Sequence, residues 1–204
     1  MKFAANPYFS RLLDEDGSEI TEFEKPGEIL VKTPAMFSEY YNNPSATADA
    51  FRDGWFVTGD LGYISSATQQ WYLIGRKKYV FQVGHEYVAP EEIESLLVSH
   101  PDVADAAIAS IRLDGEVDPK IRAFVVPNSS GALTEAELLA FTSGKLAHWK
   151  TITGGITFVD HVPRNGLRKI IRWKLNEMSQ VMSVTPPNRS FGKLYSFPVR
   201  SPFR

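Results

Sequence analysis

Short alternating or apolar runs predict that the first third of the chain is rich in β-strands. Runs of this kind lie at residues 11–13, 28–33, 55–57 and 71–74. Turn-forming pairs such as Asp16-Gly17, Pro26-Gly27 and Asp53-Gly54 separate them, since glycine supplies the positive φ that many turns need. We expect a single short helix in this part, starting at Asn43 and ending at Phe51.

Beyond Arg76 the pattern changes to alternating helices and strands. Apolar or alternating stretches predict strands at residues 103–111, 120–126 and 156–159. A helix is predicted at residues 90–97, because proline and acidic residues favour a first helical turn. Two further helices are predicted, one from Thr134 to about Ala147, where Thr134 and Glu137 have capping-box spacing, and one at residues 170–178.

These patterns predict an α+β fold in three parts. Residues 1–77 form a β-rich subdomain, and residues 78–180 form a small α+β domain with a three-stranded sheet and helices. Residues 181–204 are rich in proline and carry basic residues without an acidic one, which predicts a flexible basic tail.

Composition narrows the function classes. The chain has 204 residues, no cysteine and a net charge of -2, which excludes disulfides and thiol catalysis and gives no general attraction to nucleic acid. The 4 histidines lack metal-ligand spacing, so no metal site is expected. We expect no membrane span, no signal peptide and no C-terminal Ser-Lys-Leu peroxisomal signal, hence an intracellular, cytoplasmic protein.

Three motifs carry candidate chemistry. The first is FRDGWFVTGDLG at residues 51–62, in which Asp60 follows a glycine at a predicted strand end. A carboxylate in that position can accept two hydrogen bonds from a vicinal diol such as ribose, although an isolated Gly-Asp is usually a turn. The second is the basic run at residues 75–78, and the third runs from Pro163 to Lys169, which is predicted to open the last helix.

In this order and at these separations, the three motifs resemble the C-terminal portion of the adenylate-forming enzymes, the superfamily of acyl-CoA synthetases, aryl-CoA ligases and luciferases. The resemblance extends from about Pro7 to Met178. It implies that residues 1–77 correspond to the C-terminal β-subdomain of the AMP-binding large domain. It likewise implies that residues 78–180 correspond to the AMP-binding enzyme C-terminal domain.

The resemblance also implies residue roles. Asp60 would bind the ribose hydroxyls of ATP and of the acyl-adenylate, and Arg76 would contact the ribose and phosphate region. Lys78 would be the hinge about which the C-terminal domain rotates between two half-reactions. Lys169 would be the adenylation lysine, a point cation that stabilises negative charge on the α-phosphate as a carboxylate displaces pyrophosphate.

The sequence departs from the family pattern at two places. Gly84-His85 stands where the family usually has a Lys-Gly-x-Gln loop that lies along CoA, and His85 is interpreted as an exposed loop residue. Arg168 stands where the family usually has glycine. Arg172 could pair with phosphate or be a solvated helix residue, and we favour the second interpretation.

The implied function is ATP-dependent activation of a small carboxylic acid to acyl-AMP and transfer to CoA, with Mg²⁺. The phosphate loop, the acyl pocket and the Mg²⁺ ligand of the family have no counterpart in the sequence, so the chain alone is expected to be incomplete and weakly active or inactive. One alternative is a non-catalytic docking or regulatory module that associates with the large adenylation domain of a full-length ligase. Another is an adenylation-domain fragment serving a carrier protein.

Overall fold

The computed structural model describes residues 2–4, 9–112, 115–128 and 133–183. Apart from the end of the last helix, the tail predicted at residues 181–204 lies outside the described residues. The structure contains two main β-sheets, one in the first part of the chain and one in the second, together with α-helices. The predicted α+β class is confirmed. No helix in the described ranges combines the length and apolar character needed to cross a membrane.

The β-rich first part is a seven-stranded antiparallel sheet with the order β1-β7-β6-β4-β2-β3, and β5 pairs with β6. Its strands are β1 (Lys2–Ala4), β2 (Ser10–Leu13), β3 (Glu19–Ile20), β4 (Gly27–Val31), β5 (Phe51–Arg52), β6 (Trp55–Ile64) and β7 (Gln70–Arg76). Leu12, Ile20 and Trp71 form its buried cluster.

Helix α1 (Pro44–Ala50) begins and ends for local reasons. The side chain of Asn43 accepts a hydrogen bond from the backbone N–H of Ala46 at 3.0 Å, which satisfies one of the free donors of the first turn. Phe51 is extended and joins β5, so the helix stops one residue before its predicted end.

The second part contains a three-stranded sheet with the order β10-β11-β12, as predicted. Its elements are β8 (Phe81–Val83), β9 (Glu86–Val88), α2 (Pro90–Val98), β10 (Val103–Ile111), β11 (Lys120–Pro127), α3 (Glu135–Thr142), β12 (Ile156–Phe158) and α4 (Arg172–Ser183). Strands β10 and β11 are antiparallel, whereas β11 and β12 are parallel. The β8–β9 hairpin was not expected.

Helices cover both faces of this sheet. Ile108 of β10 is buried in one cluster with Ile93 and Leu97 of α2, together with Leu138 of α3. The neighbouring Ala107 and Ala109 belong to a second cluster, with Phe124 of β11 and Leu175 of α4. Alternate residues of one strand therefore serve two cores, as expected for a strand covered on both sides.

Helix α3 is shorter than the sequence suggested. It ends at Thr142 instead of near Ala147, because Ser143 is extended and Gly144 has a φ of 72°. The predicted capping box at its start is present, with Thr134 and Glu137 each accepting from the other's backbone N–H. For this helix, the start was thus easier to predict than the end.

Candidate functional site

Asp60 and Arg76 lie opposite one another on β6 and β7 and form an ion pair. The Asp60 Oδ1 and Arg76 Nε atoms are 3.1 Å apart. The sequence predicted Asp60 at the end of a strand, and this is wrong. Strand β6 continues to Ile64 through a register irregularity after Leu61. The antiparallel register therefore brings together the two residues expected to hold the nucleotide.

The backbone around Asp60 is fixed by the residues of its own motif. The Thr58 hydroxyl donates to the carbonyl of Ile29 at 2.7 Å and accepts from the Asp60 N–H at 3.0 Å. Gly59 has a φ of 72°, a conformation that side-chain-bearing residues rarely adopt. Arg76 Nη1 donates to the Thr58 carbonyl at 2.7 Å. The guanidinium therefore contacts both the Asp60 carboxylate and the backbone of β6 two residues before it.

Asp60 is partly shielded from water, with 27% of its side chain exposed. Burial raises the pKa of the Asp60 carboxyl, and the positive charge of Arg76 opposes that rise. Within the described ranges, Oδ1 engages Arg76 and no hydrogen bond is present at Oδ2. The carboxylate can therefore accept hydrogen bonds from a ligand while it stays paired with Arg76.

Lys77 is tied to the first sheet. Its Nζ lies 2.8 Å from Oε2 of Glu28, whose side chain on β4 is only 10% exposed. The backbone N–H of Lys77 also donates to the carbonyl of Gly59 at 2.9 Å. The chain is thus fixed to β4 and β6 as far as Lys77.

Tyr79, on the other side of Lys78, is tied to later parts of the chain. The guanidinium of Arg172 lies 5.0 Å from the centre of the Tyr79 ring, within the range of a cation–π contact. Lys78 itself is exposed, and its Nζ lies 4.7 Å from the same ring. The predicted hinge residue therefore stands between two residues with different anchors.

The interpretation of Arg172 as a solvated residue is wrong. Its side chain is 14% exposed and pairs with Glu94 at 2.8 Å and with Glu91 at 2.9 Å. It also donates to the carbonyl of Ile108 on β10 at 3.2 Å. Because these partners lie more than sixty residues away along the chain, no local pattern reveals them. These hydrogen bonds hold the guanidinium against helix α2 and strand β10, away from solvent.

Lys169 lies in a short loop before α4 and does not open that helix, which starts at Arg172. Arg164 and Ile170 pair as an antiparallel bridge that closes the loop. Inside it, the Asn165 side chain accepts from the backbone N–H groups of Leu167 and Lys169 at 3.0 and 2.9 Å. The side chain of Lys169 is exposed and has no ion pair with any described residue.

Arg168, directly before this lysine, has a φ of 62°. This left-handed conformation is favourable for glycine and costs energy for other residues, which gives a physical reason for the glycine usual at this place in the resembled family. The departure at Arg168 therefore leaves the loop able to form, but with a strained residue next to Lys169.

A cleft of about 610 Å³ connects the hinge with this loop. Lys78, Asn165, Ile170 and Trp173 are among the residues that line it. Asp60 and Arg76 do not line the cleft, and within the described ranges no hydrogen bond or ion pair joins them to Lys169. The structure thus brings Asp60 and Arg76 into contact, whereas Lys169 is not among the residues that line the cleft beside Lys78.

Gly84 and His85 form the turn of the β8–β9 hairpin. Both are exposed, and the Gly84 N–H donates to Asp118 Oδ1 at 2.9 Å. Among the described residues, no hydrogen bond or ion pair joins this turn to Asp60, Arg76, Lys78 or Lys169, and its proposed role toward CoA stays a prediction. In the part of the chain that the structure describes, no group of three histidine or acidic residues has the geometry of a metal site.

Residues 92–169 match the protein family described as the AMP-binding enzyme C-terminal domain. Phenylacetyl-CoA ligase of Aspergillus niger is 38% identical over 170 residues, which are 82% of this chain and 31% of that protein. The 2-succinylbenzoate–CoA ligase of Bacillus velezensis is 38% identical over 181 residues, or 86% of this chain and 35% of that protein. The chain therefore spans about a third of the length of the relatives it matches.

Solved structures agree. O-succinylbenzoate coenzyme A synthetase from Bacillus subtilis, in complex with AMP, has a TM-score of 0.68 and 31% identity over 81% of this chain and 33% of its own. ATP-bound MatB from Rhodopseudomonas palustris has a TM-score of 0.66 and 32% identity over 85% of this chain and 34% of its own. The roles of Asp60, Arg76, Lys78 and Lys169 remain predictions.

Proposed function

We propose that this chain performs part of the reaction of an acyl- or aryl-CoA ligase. The proposal follows from its similarity to the C-terminal portion of the adenylate-forming enzymes. In this reaction ATP and a carboxylic acid give an acyl-adenylate and pyrophosphate, and the CoA thiol then takes the acyl group and releases AMP. The chain would supply a ribose-binding carboxylate, a hinge and the lysine of the first step. We propose no Mg²⁺ ligand among the described residues.

The single observation that carries this proposal is the Asp60–Arg76 pair. The guanidinium orients the carboxylate, while an oxygen of that carboxylate stays available for the hydroxyls of a ribose. Hydrogen bonds to a charged group contribute about 1.5–3 kcal/mol each, enough to change nucleotide affinity by tenfold or more. Arg76 is more exposed than Asp60 and can also reach a phosphate oxygen.

Lys169 has the features of a cation that acts on a substrate. Its ammonium is exposed, whereas the backbone that carries it is held by the Asn165 side chain. A cation placed beside the α-phosphate stabilises the charge that builds up as pyrophosphate leaves. Because this group needs to approach only during adenylation, its position on a hinged part of the molecule is consistent with the two-step reaction.

We propose Lys78 as the hinge residue for this movement. Glu28 anchors Lys77 to the first sheet, and Arg172 contacts Tyr79 from helix α4. Rotation about the backbone of Lys78 would keep both side-chain anchors but would break the hydrogen bonds that the Tyr79 and Val80 N–H groups donate to the Arg76 carbonyl, each 2.9 Å long. Hinges of this kind confine a large φ/ψ change to few residues.

The experiment that tests the proposal uses a chimera in which this chain replaces the matching part of the A. niger phenylacetyl-CoA ligase. Phenylacetate-dependent ATP–pyrophosphate exchange reports adenylation, and thioester formation from supplied phenylacetyl-AMP and CoA reports the second step. We expect Lys169→Ala to lower exchange by about 10²–10³, as when one preorganised electrostatic contact is lost, and to spare thioester formation. Asp60→Asn should raise the KM for ATP by about tenfold or more.

Two controls define the result. Lys174→Ala, an exposed lysine on α4, should leave both steps unchanged. The 204-residue chain alone should give no exchange. Equal loss of both steps in Lys169→Ala would show that Lys169 is structural. An inactive chimera together with tight binding of the chain to an intact ligase would favour the docking or regulatory alternative instead.

A further inference from the structure

We infer that Arg164 is a positioning residue for Lys169, acting through the backbone of the loop that carries it. The inference rests on the proposed function, because it concerns the placement of the adenylation lysine. The juxtaposition that carries it is a single guanidinium that contacts both the central sheet and the residue before Lys169.

Arg164 is fixed to the sheet by two hydrogen bonds to one carboxylate. Its Nε lies 3.0 Å from Asp105 Oδ2, and its Nη2 lies 2.7 Å from Asp105 Oδ1. This parallel, bidentate arrangement sets the orientation of the guanidinium plane as well as its position. Both side chains are about 30% exposed, so the pair is partly shielded from water.

Asp105 is itself held in place. It follows the register irregularity in the pairing of β10 with β11, and its Oδ1 also accepts the backbone N–H of Ala106 at 2.9 Å. Neighbouring residues of β10 are buried in both cores of the domain. The carboxylate therefore offers Arg164 a rigid point of attachment.

The third contact reaches the loop. Arg164 Nη1 donates to the carbonyl oxygen of Arg168 at 2.7 Å. That carbonyl belongs to the peptide unit that leads directly into Lys169, and Arg168 is the residue with a φ of 62°. Asn165 contacts the other side of the same peptide unit, since it accepts from the Lys169 N–H at 2.9 Å. Arg164 and Asn165 thus fix the peptide from both ends.

A lysine could not reproduce these contacts, because three donors in one plane are needed for three acceptor atoms, two on Asp105 and one on Arg168. A displacement of about 1 Å in a catalytic group can cost about 10²-fold in rate. Loss of Arg164 should therefore affect adenylation far more than it affects the fold, whose cores do not contain this side chain.

The first test uses the full 204-residue chain and amide hydrogen exchange measured by NMR. Arg164→Gln and Asp105→Asn should each speed exchange at the Lys169 and Leu167 amides by about tenfold or more, the effect of losing a contact of about 1.5 kcal/mol. Amides within β11 should keep their protection. Lys174→Ala is the matched control and should change none of these rates.

The second test uses the chimera. Arg164→Gln should lower adenylation by about 10–10² with thioester formation from supplied acyl-adenylate unchanged. Arg164→Lys should recover little, and the double variant with Asp105→Asn should be no slower than Arg164→Gln alone, because both changes remove one interaction.

The two proposals fail in different ways. If Lys169→Ala leaves adenylation intact, the proposed function is wrong, and the exchange rates still decide whether Arg164 orders the loop. If Lys169→Ala abolishes adenylation but Arg164→Gln changes neither the Lys169 amide nor the adenylation rate, the positioning role is overturned. Equal loss of both half-reactions in Arg164→Gln would also overturn it, since it would show a general structural effect.

Discussion

Arg172 and Glu94 form an ion pair that joins helix α4 to helix α2, with 2.8 Å between Arg172 Nη1 and Glu94 Oε1. The Glu94 carboxylate also accepts the backbone N–H of Ile108 at 2.8 Å, so the pair connects both helices to β10. The side chains are 14% and 10% exposed. Without Arg172 the shielded Glu94 carboxylate would keep the Ile108 N–H but would lose its opposite charge, which makes the pair important for stability.

The first prediction is that Arg172→Met destabilises the chain by about 3–5 kcal/mol, the usual result of removing one partner of a buried ion pair. Urea denaturation followed by circular dichroism measures the change. Lys174→Met, at an exposed position of the same helix, should stay within about 0.5 kcal/mol of wild type. The double variant with Glu94→Met should lose less than the sum of the two single variants, because both changes remove the same ion pair. A loss below about 1 kcal/mol in Arg172→Met would contradict the importance of the pair.

The second prediction concerns the strained residue next to Lys169. Arg168→Gly should leave the free energy of unfolding unchanged or raise it by up to about 1 kcal/mol, because relief of the left-handed strain offsets the greater entropy of glycine in the unfolded chain. The backbone contacts of Arg168 with Asn165 and Arg164 do not need its side chain.

Leu167→Gly provides the comparison for that prediction. Leu167 is also exposed but does not have a positive φ, so glycine there should lower stability by about 0.4–1 kcal/mol. Equal losses at both positions would show that Arg168 is not strained. Thermal and urea denaturation of the two variants under identical conditions decide between these outcomes.

Local signals in the sequence sufficed for much of the fold. Asn43 and Thr134 each precede a helix and cap it in the structure, because a cap needs only residues within one turn. The apolar run at residues 103–111 matches β10 at both ends. The β8–β9 hairpin was missed because its strands have three residues each and no long alternation.

The sequence identified which residues are candidates for the site, but it did not show which of them are in contact. Asp60 and Arg76 meet because their strands are adjacent, which the motif order alone does not show. Nothing local in the sequence marks Asp105, Glu94 or Glu28 as a member of an ion pair, and each is recognised only by a charged partner distant in sequence. The sequence signal for Arg172 was ambiguous for the same reason, since an arginine on a helix is more often exposed than paired.

The third prediction concerns the hinge. Glu28→Gln removes the charge that holds Lys77 and should speed limited tryptic cleavage of the native chain at Lys77 and Lys78 by about two- to fivefold. This corresponds to about 0.5–1 kcal/mol, a modest value because the Lys77 side chain is 46% exposed. Glu22→Gln, which breaks an exposed ion pair with Lys25, is the control and should leave the rate unaltered. Unchanged cleavage in Glu28→Gln would show that the backbone bond to Gly59 is sufficient.

The fourth prediction links helix α3 to pH. Hydrogen bonds from the Thr134 backbone N–H and hydroxyl, with a smaller electrostatic contribution from the nearby His100, lower the pKa of Glu137 below its usual value of 4.5. A carboxylate whose pKa is lower in the folded chain stabilises the fold above the pKa of the unfolded chain. That contribution disappears as the pH falls through the lower, folded value.

Glu137→Gln should therefore be less stable than wild type at pH 7, and the difference should shrink as the pH is lowered below about 4.5. Urea denaturation at a series of pH values measures both proteins side by side. Glu177→Gln, at an exposed position of α4 with no hydrogen bond to a described residue, controls for the change in net charge. A difference between wild type and Glu137→Gln that stays constant across the acid range would mean that the capping box works through geometry, with no contribution from the charge of the carboxylate.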